Sequence, residues 1–169
     1  MFQIKYNIII LEDEDGEIKG TDGQFEIKCN NSVYGDFNLS ALDIFHEQIY
    51  GWIKRYLRIV KRLQNSDYVV LSDIDSYKTW IEFKKNEDIL IISQVDADKP
   101  DGSSDIENKL VNLRERRWSE TISYLQFEEE VISKSISFVK ELKEINSQNT
   151  DSGMIRVLEE LIKDATRKE

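Results

Sequence analysis

The sequence predicts an α+β fold: a mainly antiparallel sheet of about six to seven strands packed with two long helices and a short C-terminal helix. Three observations carry that reading. Short stretches alternate apolar and polar residues with a period of two. Longer stretches repeat apolar residues every three or four positions, and Gly, Asn and Asp pairs punctuate the spaces between them. With 169 residues, 40% hydrophobic and 33% charged, the chain has the size of a single α+β domain spanning residues 1–169, able to bury roughly two-thirds of its unfolded surface.

Phe2, Ile4, Tyr6, Ile8 and Ile10 alternate with Gln3, Lys5 and Asn7, the pattern of a half-buried strand. A polar stretch over residues 12–23 holds Asp15-Gly16 and Asp22-Gly23, pairs that favour tight turns. Phe25, Ile27 and Cys29 then face one way and Gln24, Glu26 and Lys28 the other, and Asn30-Asn31 turns the chain into residues 33–37. The first 39 residues therefore read as an antiparallel meander.

Ser40 with Asp43 resembles a capping box opening a long helix, in which Leu42, Phe45, Ile49, Trp52, Ile53, Tyr56, Val60 and Leu63 recur at helical steps. Three strands follow, at residues 68–71, 78–84 and 88–95. The unbroken run Ile89-Leu90-Ile91-Ile92 is expected of a strand covered on both faces, and so places the last of them centrally in the sheet. Residues 96–107 are polar and include Lys99-Pro100-Asp101-Gly102, a turn signature, so they read as a loop. Residues 110–113 and 118–122 read as two further strands, separated by Arg114-Glu115-Arg116-Arg117. Phe127, Val131, Ser135, Phe138, Leu142 and Ile145 mark a second long helix. After a polar break at residues 146–152, Met154, Leu158, Leu161, Ile162 and Ala165 mark a short third one.

Composition narrows the function. Lys and Arg number 23 against 33 Asp and Glu, a net charge of −10. That balance disfavours nucleic acid and anionic membranes, whose binding needs a cationic surface, and suits a basic protein partner. Cys29 is the only cysteine, so no intramolecular disulfide forms and four-thiolate zinc sites are excluded. Without a signal-peptide pattern or an apolar span of roughly 18 residues, a cytoplasmic location is expected.

Catalytic constellations are sparse. His46 is the only histidine, and Cys29 lies on the apolar face of its strand. The stretch around Gly16 superficially matches a calcium loop, but aligning it puts Leu11 at the first ligand position and Asp22 at the twelfth, where that loop needs an acid and a bidentate Glu. Asp73 or Asp75 with Glu82 and Lys84 offers the ingredients of a metal-dependent hydrolase or nuclease. The same Glu-x-Lys spacing recurs at Glu17/Lys19, Glu26/Lys28 and Glu141/Lys143, as a Lys- and Glu-rich composition produces by chance. No glycine-rich phosphate loop is present, so no cofactor is expected. Lys54, Arg55, Arg58, Lys61 and Arg62 form a basic stripe that reads as a solvated helix face meeting the macrodipole. Trp80 alternates with Lys78, Glu82 and Lys84, opposite Thr79, Ile81 and Phe83. It reads either as packed beneath a C-terminal helix or as an aromatic anchor for a partner.

The block Ser72-Asp73-Ile74-Asp75-Ser76-Tyr77-Lys78-Thr79-Trp80-Ile81-Glu82-Phe83, the capped helix before it and the Lys/Ile/Asn/Glu-rich vocabulary resemble small proteins of low-GC Gram-positive bacteria. Several of those are similar to the immunity partners of polymorphic or wall-associated toxins. The resemblance implies a cytoplasmic, non-catalytic inhibitor that binds its toxin directly, and it transfers no functional residue. On this reading Asp96, Asp98, Asp101, Asp105 and Glu107 steer a basic toxin domain, with Trp80 as an anchor. The alternatives are the carboxylate-based hydrolase and a self-associating structural protein.

Overall fold

The computed structural model describes residues 1–10, 20–38, 48–145 and 152–167. The expected capping box at Ser40, His46, the helical positions Leu42 and Phe45, and the turn at Asp15-Gly16 lie outside those residues.

The architecture is α+β with two antiparallel sheets. The first is the expected meander: β1 (Phe2–Ile8), β2 (Gly23–Cys29) and β3 (Ser32–Asp36), in the order β1-β2-β3. Cys29 pairs with Ser32 across the turn, and Asn30 takes a positive φ of 50°, a conformation that Asn tolerates better than most residues. α1 (Ile49–Leu63) follows.

The second sheet has the order β7-β4-β5-β6-β8. Its strands are β4 (Tyr68–Ser72), β5 (Thr79–Asn86), β6 (Ile89–Asp98), β7 (Ile106–Glu107) and β8 (Val111–Ser123). β8 runs directly into α2 (Tyr124–Ile145), and α3 (Gly153–Thr166) closes the fold, with the Ser152 side chain accepting from the Ile155 amide at 3.3 Å.

α1 joins the two sheets. Tyr56, fully buried, has ring centroids 6.1–6.3 Å from Phe2 and Phe25 of the first sheet, Phe83 of the second, and Phe127 of α2. Trp52, one turn earlier, stacks on Phe25 at 5.4 Å. Aromatic pairs of this kind add specific geometry to ordinary apolar burial. One continuous cluster takes side chains from both sheets and all three helices.

Several expectations need correction. The segments 110–113 and 118–122 are one strand, β8, which carries Arg114-Glu115-Arg116-Arg117 within it. An edge strand tolerates such a run because one side of it faces water. β6 does lie inside the sheet, but its isoleucine run is covered on one face only, since Ile89 is 48% exposed and Ile91 half-buried. β6 also continues through Asp98, so the loop shortens to residues 99–105. Arg55 is no part of a solvated stripe. It is 2% exposed, its guanidinium lies 4.3 Å from the Trp52 ring, and its Nε donates to the Gly51 carbonyl at 3.1 Å.

The chain passes from β7, paired with β4, to β8, paired with β6, using residues 108–110. A flat sheet would separate those strands by about 19 Å, four spacings of about 4.8 Å. Four Cα steps reach about 14 Å at most. The sheet must therefore curl, and the crossing segment lies over the face that holds Val70, Trp80, Val95 and Ala97, where Leu110 packs.

Candidate functional site

The loop after β6 and the turn between β4 and β5 meet at one end of the curled sheet. The turn, residues 73–78, is braced from three sides. Asp73 accepts the Tyr34 hydroxyl on one carboxylate oxygen and the Asp75 amide at 2.9 Å on the other, and its carbonyl receives the Lys99 ammonium. The Ser76 hydroxyl donates to Thr79 Oγ1 at 2.9 Å, and Thr79 Oγ1 in turn reaches Asp96 at 3.3 Å. Burial lowers the Lys99 pKa, a cost that Asp73 and Asp75 partly offset.

The braced turn holds two apolar side chains in solvent. Tyr77 is 99% exposed and Ile74 53% exposed. Between the turn and the loop runs a groove of about 640 Å³, lined by Tyr77, Lys78, Asp98, Lys99, Pro100 and Asp101 among others. Tyr77 was not singled out by its sequence, although an aromatic in a turn flanked by Asp75, Ser76 and Lys78 belongs to no apolar stripe and was in principle detectable.

The six residues assigned to partner binding divide. Asp96 is 1% exposed on β6, and bonds from Arg117 at 2.9 Å and Lys78 at 2.9 Å neutralise it. The hydrogen bond from Arg117 leads in lowering its pKa from 3.8 to about 2. A buried carboxylate with two counter-ions does not steer a partner, so Asp96 is corrected to a structural role. Trp80 is 2% exposed and packs with Val70, Val95 and Ala97 beneath the crossing segment, not under a helix and not as an exposed anchor. Asp98 bonds Arg114 and accepts from Asn112 at 2.9 Å. Glu107 accepts from the Ser104 amide at 2.7 Å. Asp101 and Asp105 are exposed, and Asp105 gives its carbonyl to the Ser72 amide at 2.8 Å.

Asp73, Asp75 and Glu82 do not come together as metal ligands. Glu82, 2% exposed, is held by Arg116, by the Tyr68 hydroxyl at 2.9 Å and by Lys84 at 3.2 Å. Burial pushes its pKa up, but those three bonds outweigh burial and hold it below the ordinary value. Among the described residues no group of three His, Cys, Asp or Glu could hold a metal ion. Burial raises the Cys29 thiol to about 11, with the nearby Glu120 adding to it, so almost no thiolate exists at neutral pH. Among the described residues no helix is long and apolar enough to cross a membrane. The chain matches no family model, no curated protein and no solved structure.

Proposed function

We propose that this protein is a non-catalytic binding module for a basic protein partner, of the toxin-inhibiting immunity kind its sequence resembles, and that the turn carrying Tyr77 leads the docking. The observation that carries the reading is the placement of Tyr77: a 99% exposed aromatic on a turn fixed by Tyr34, Lys99 and Thr79. An exposed tyrosine costs the isolated fold the benefit of burial, and bracing its turn in advance reduces the ordering cost of association. Tyrosine is among the residues that dominate binding energy at interfaces. Asp101, in the same groove as Tyr77 and without an ion-pair partner among the described residues, offers a contact to a basic partner, while Asp98 is paired with Arg114.

The test is retention from a lysate of the native host by the tagged protein and by its Tyr77→Ala variant. A stoichiometric basic protein held by the wild type and lost by the variant supports the reading. A partner held equally by both, or no partner at all, removes Tyr77 from docking. Co-expression of that partner then tests inhibition: the wild type rescues growth and Tyr77→Ala does not.

A further inference from the structure

We infer that Tyr34 is a positioning residue for the docking turn: its hydroxyl, acting through Asp73, holds the backbone that presents Tyr77. The N-terminal sheet thereby sets the order of a site built on the second sheet. This rests on the protein-binding reading above and names what keeps that site in place.

Asp73 opens the turn with every polar atom engaged. Its amide donates to the Thr79 carbonyl at 3.1 Å, which closes the turn at its far end, and its carbonyl accepts from the Ser76 amide at 3.3 Å as well as from Lys99. One carboxylate oxygen accepts the Asp75 amide, a side-chain bond to the backbone two residues on that mimics a main-chain turn. The other accepts the Tyr34 hydroxyl, from 39 residues away. Ile74, Asp75, Tyr77 and Lys78 are exposed, so hydrogen bonds rather than packing order this stretch. The Asp75 amide is met only while the Asp73 carboxylate stays in one rotamer, and the Tyr34 hydroxyl selects that rotamer.

Tyr34 is itself well anchored. It lies on β3, paired with Ile27 of β2, and its ring meets Trp52 of α1 edge-on with centroids 6.1 Å apart. Ile27 is fully buried and Trp52 is 3% exposed, so the hydroxyl is carried by the main core. Lys99 is a separate fastening, which comes from the loop after β6 and grips the carbonyls of Asp73 and Ser76. The two act on different atoms, and removing the Tyr34 hydroxyl leaves the Lys99 bonds standing.

The experiment is ¹⁵N relaxation on the full chain without any partner, comparing the wild type with Tyr34→Phe, Asp73→Ala and Asp73→Asn. Phenylalanine keeps the ring against Trp52 and removes only the hydroxyl. The expected order parameters at residues 74–77 are about 0.85 in the wild type and about 0.6 in Tyr34→Phe and Asp73→Ala, with α1 and β2 unchanged. Asp73→Asn accepts from the Asp75 amide through its carbonyl and donates its NH2 to the Tyr34 hydroxyl oxygen, so it restores most of the order. Unchanged order at residues 74–77 in Tyr34→Phe, or a loss spread equally over β2 and α1, overturns the inference. Binding is then measured with the basic protein that the wild type retains. Tyr34→Phe is expected to weaken it about fivefold when Tyr77 is present and not at all in Tyr77→Ala, the non-additivity of residues acting as one unit. Equal weakening in both backgrounds also overturns the inference. The order parameters need no partner, so the two readings fail separately: a turn that loosens in Tyr34→Phe while retention ignores Tyr77 sustains Tyr34 as the anchor and removes the docking.

Discussion

The ammonium of Lys99 donates to the main-chain carbonyl of Asp73, so the loop after β6 is fastened to the turn that displays Tyr77. Twenty-six residues separate the two in sequence, and the bond makes two neighbouring loops one surface. Lys99→Met keeps the aliphatic stem near Trp80 and removes the charge-assisted bonds. The expected outcome is a loss of about 1–2 kcal/mol of stability, with hydrogen-exchange protection lost first at residues 73–79 while the helices keep theirs.

Tyr77 makes no packing contribution that its removal could cost. Tyr77→Ala should leave the unfolding free energy within about 0.5 kcal/mol of the wild type, and weaken the partner complex by about 2 kcal/mol, roughly thirtyfold. Denaturant unfolding and calorimetric titration, run on the same preparation, check both halves.

Charge reversal separates the acids that the structure distinguishes. Asp101, exposed and unpaired among the described residues, should govern long-range attraction. Asp101→Lys is expected to slow association by about tenfold at low salt, an effect that fades as ionic strength rises. Asp98→Asn, which changes the net charge by one where Asp101→Lys changes it by two and which leaves Arg114 without its pair, should slow association less. Stopped-flow kinetics at two salt concentrations decides it, and equal slowing by both variants contradicts the distinction.

The ion-paired buried carboxylates Asp96 and Glu82 respond to acid. Asp96 is depressed from 3.8 to about 2 in the native state by its bonds to Arg117 and Lys78. A depressed carboxylate stabilises the fold at pH above its ordinary value, and that contribution disappears as pH falls through about 2. Stability should therefore decline between pH 3.8 and about 2, and Asp96→Asn should flatten that part of the profile. Glu82→Ala, which takes the acceptor from the half-buried Tyr68 hydroxyl and the counter-ion from Arg116, is expected to cost about 1–2 kcal/mol near neutral pH. Glu82→Gln, which still accepts a hydrogen bond, should cost less.

Gly23 sits where no side chain fits. A Cβ there would stand 2.0 Å from the Asn7 carbonyl oxygen and 2.8 Å from Ile49 Cδ1, so the β1–β2 pair would have to part at its closed end. Gly23→Ala should cost about 3 kcal/mol or more, measured as a fall in Tm. Gly102→Ala in the exposed loop, where nothing lies within 4 Å but φ is +80°, should cost about 1 kcal/mol from backbone strain alone.

Trp80, Arg55 and the arginine cluster mark the boundary of what local pattern can say. Alternation correctly set Trp80 opposite Ile81 and Phe83, because side chains on a strand change face at every residue. It could not say that residues 108–110 would cover that face, since this follows from the curl of a sheet whose strands β4 and β7 lie 34 or more residues apart. Arg55 read as one more cation on a basic stripe, but the Ser72 carbonyl at 3.4 Å and the Trp52 ring draw it inward. For the same reason Arg114, Arg116 and Arg117 looked like a break between strands while their partners were unknown.

The sequence by itself determined the α+β class, the N-terminal meander with its Asn30-Asn31 turn, and the apolar faces of all three helices, because period and turn chemistry act over a few neighbouring residues. Only the tertiary structure decided which acids are paired. Arg116 reaches Glu82 across 34 residues, Arg117 reaches Asp96 across 21 and Arg114 reaches Asp98 across 16, leaving Asp101 without a counter-ion among the described residues and Tyr77 in solvent. The energy of an ion pair falls as the inverse of the separation in space, and that separation leaves no trace in the spacing of residues along a chain.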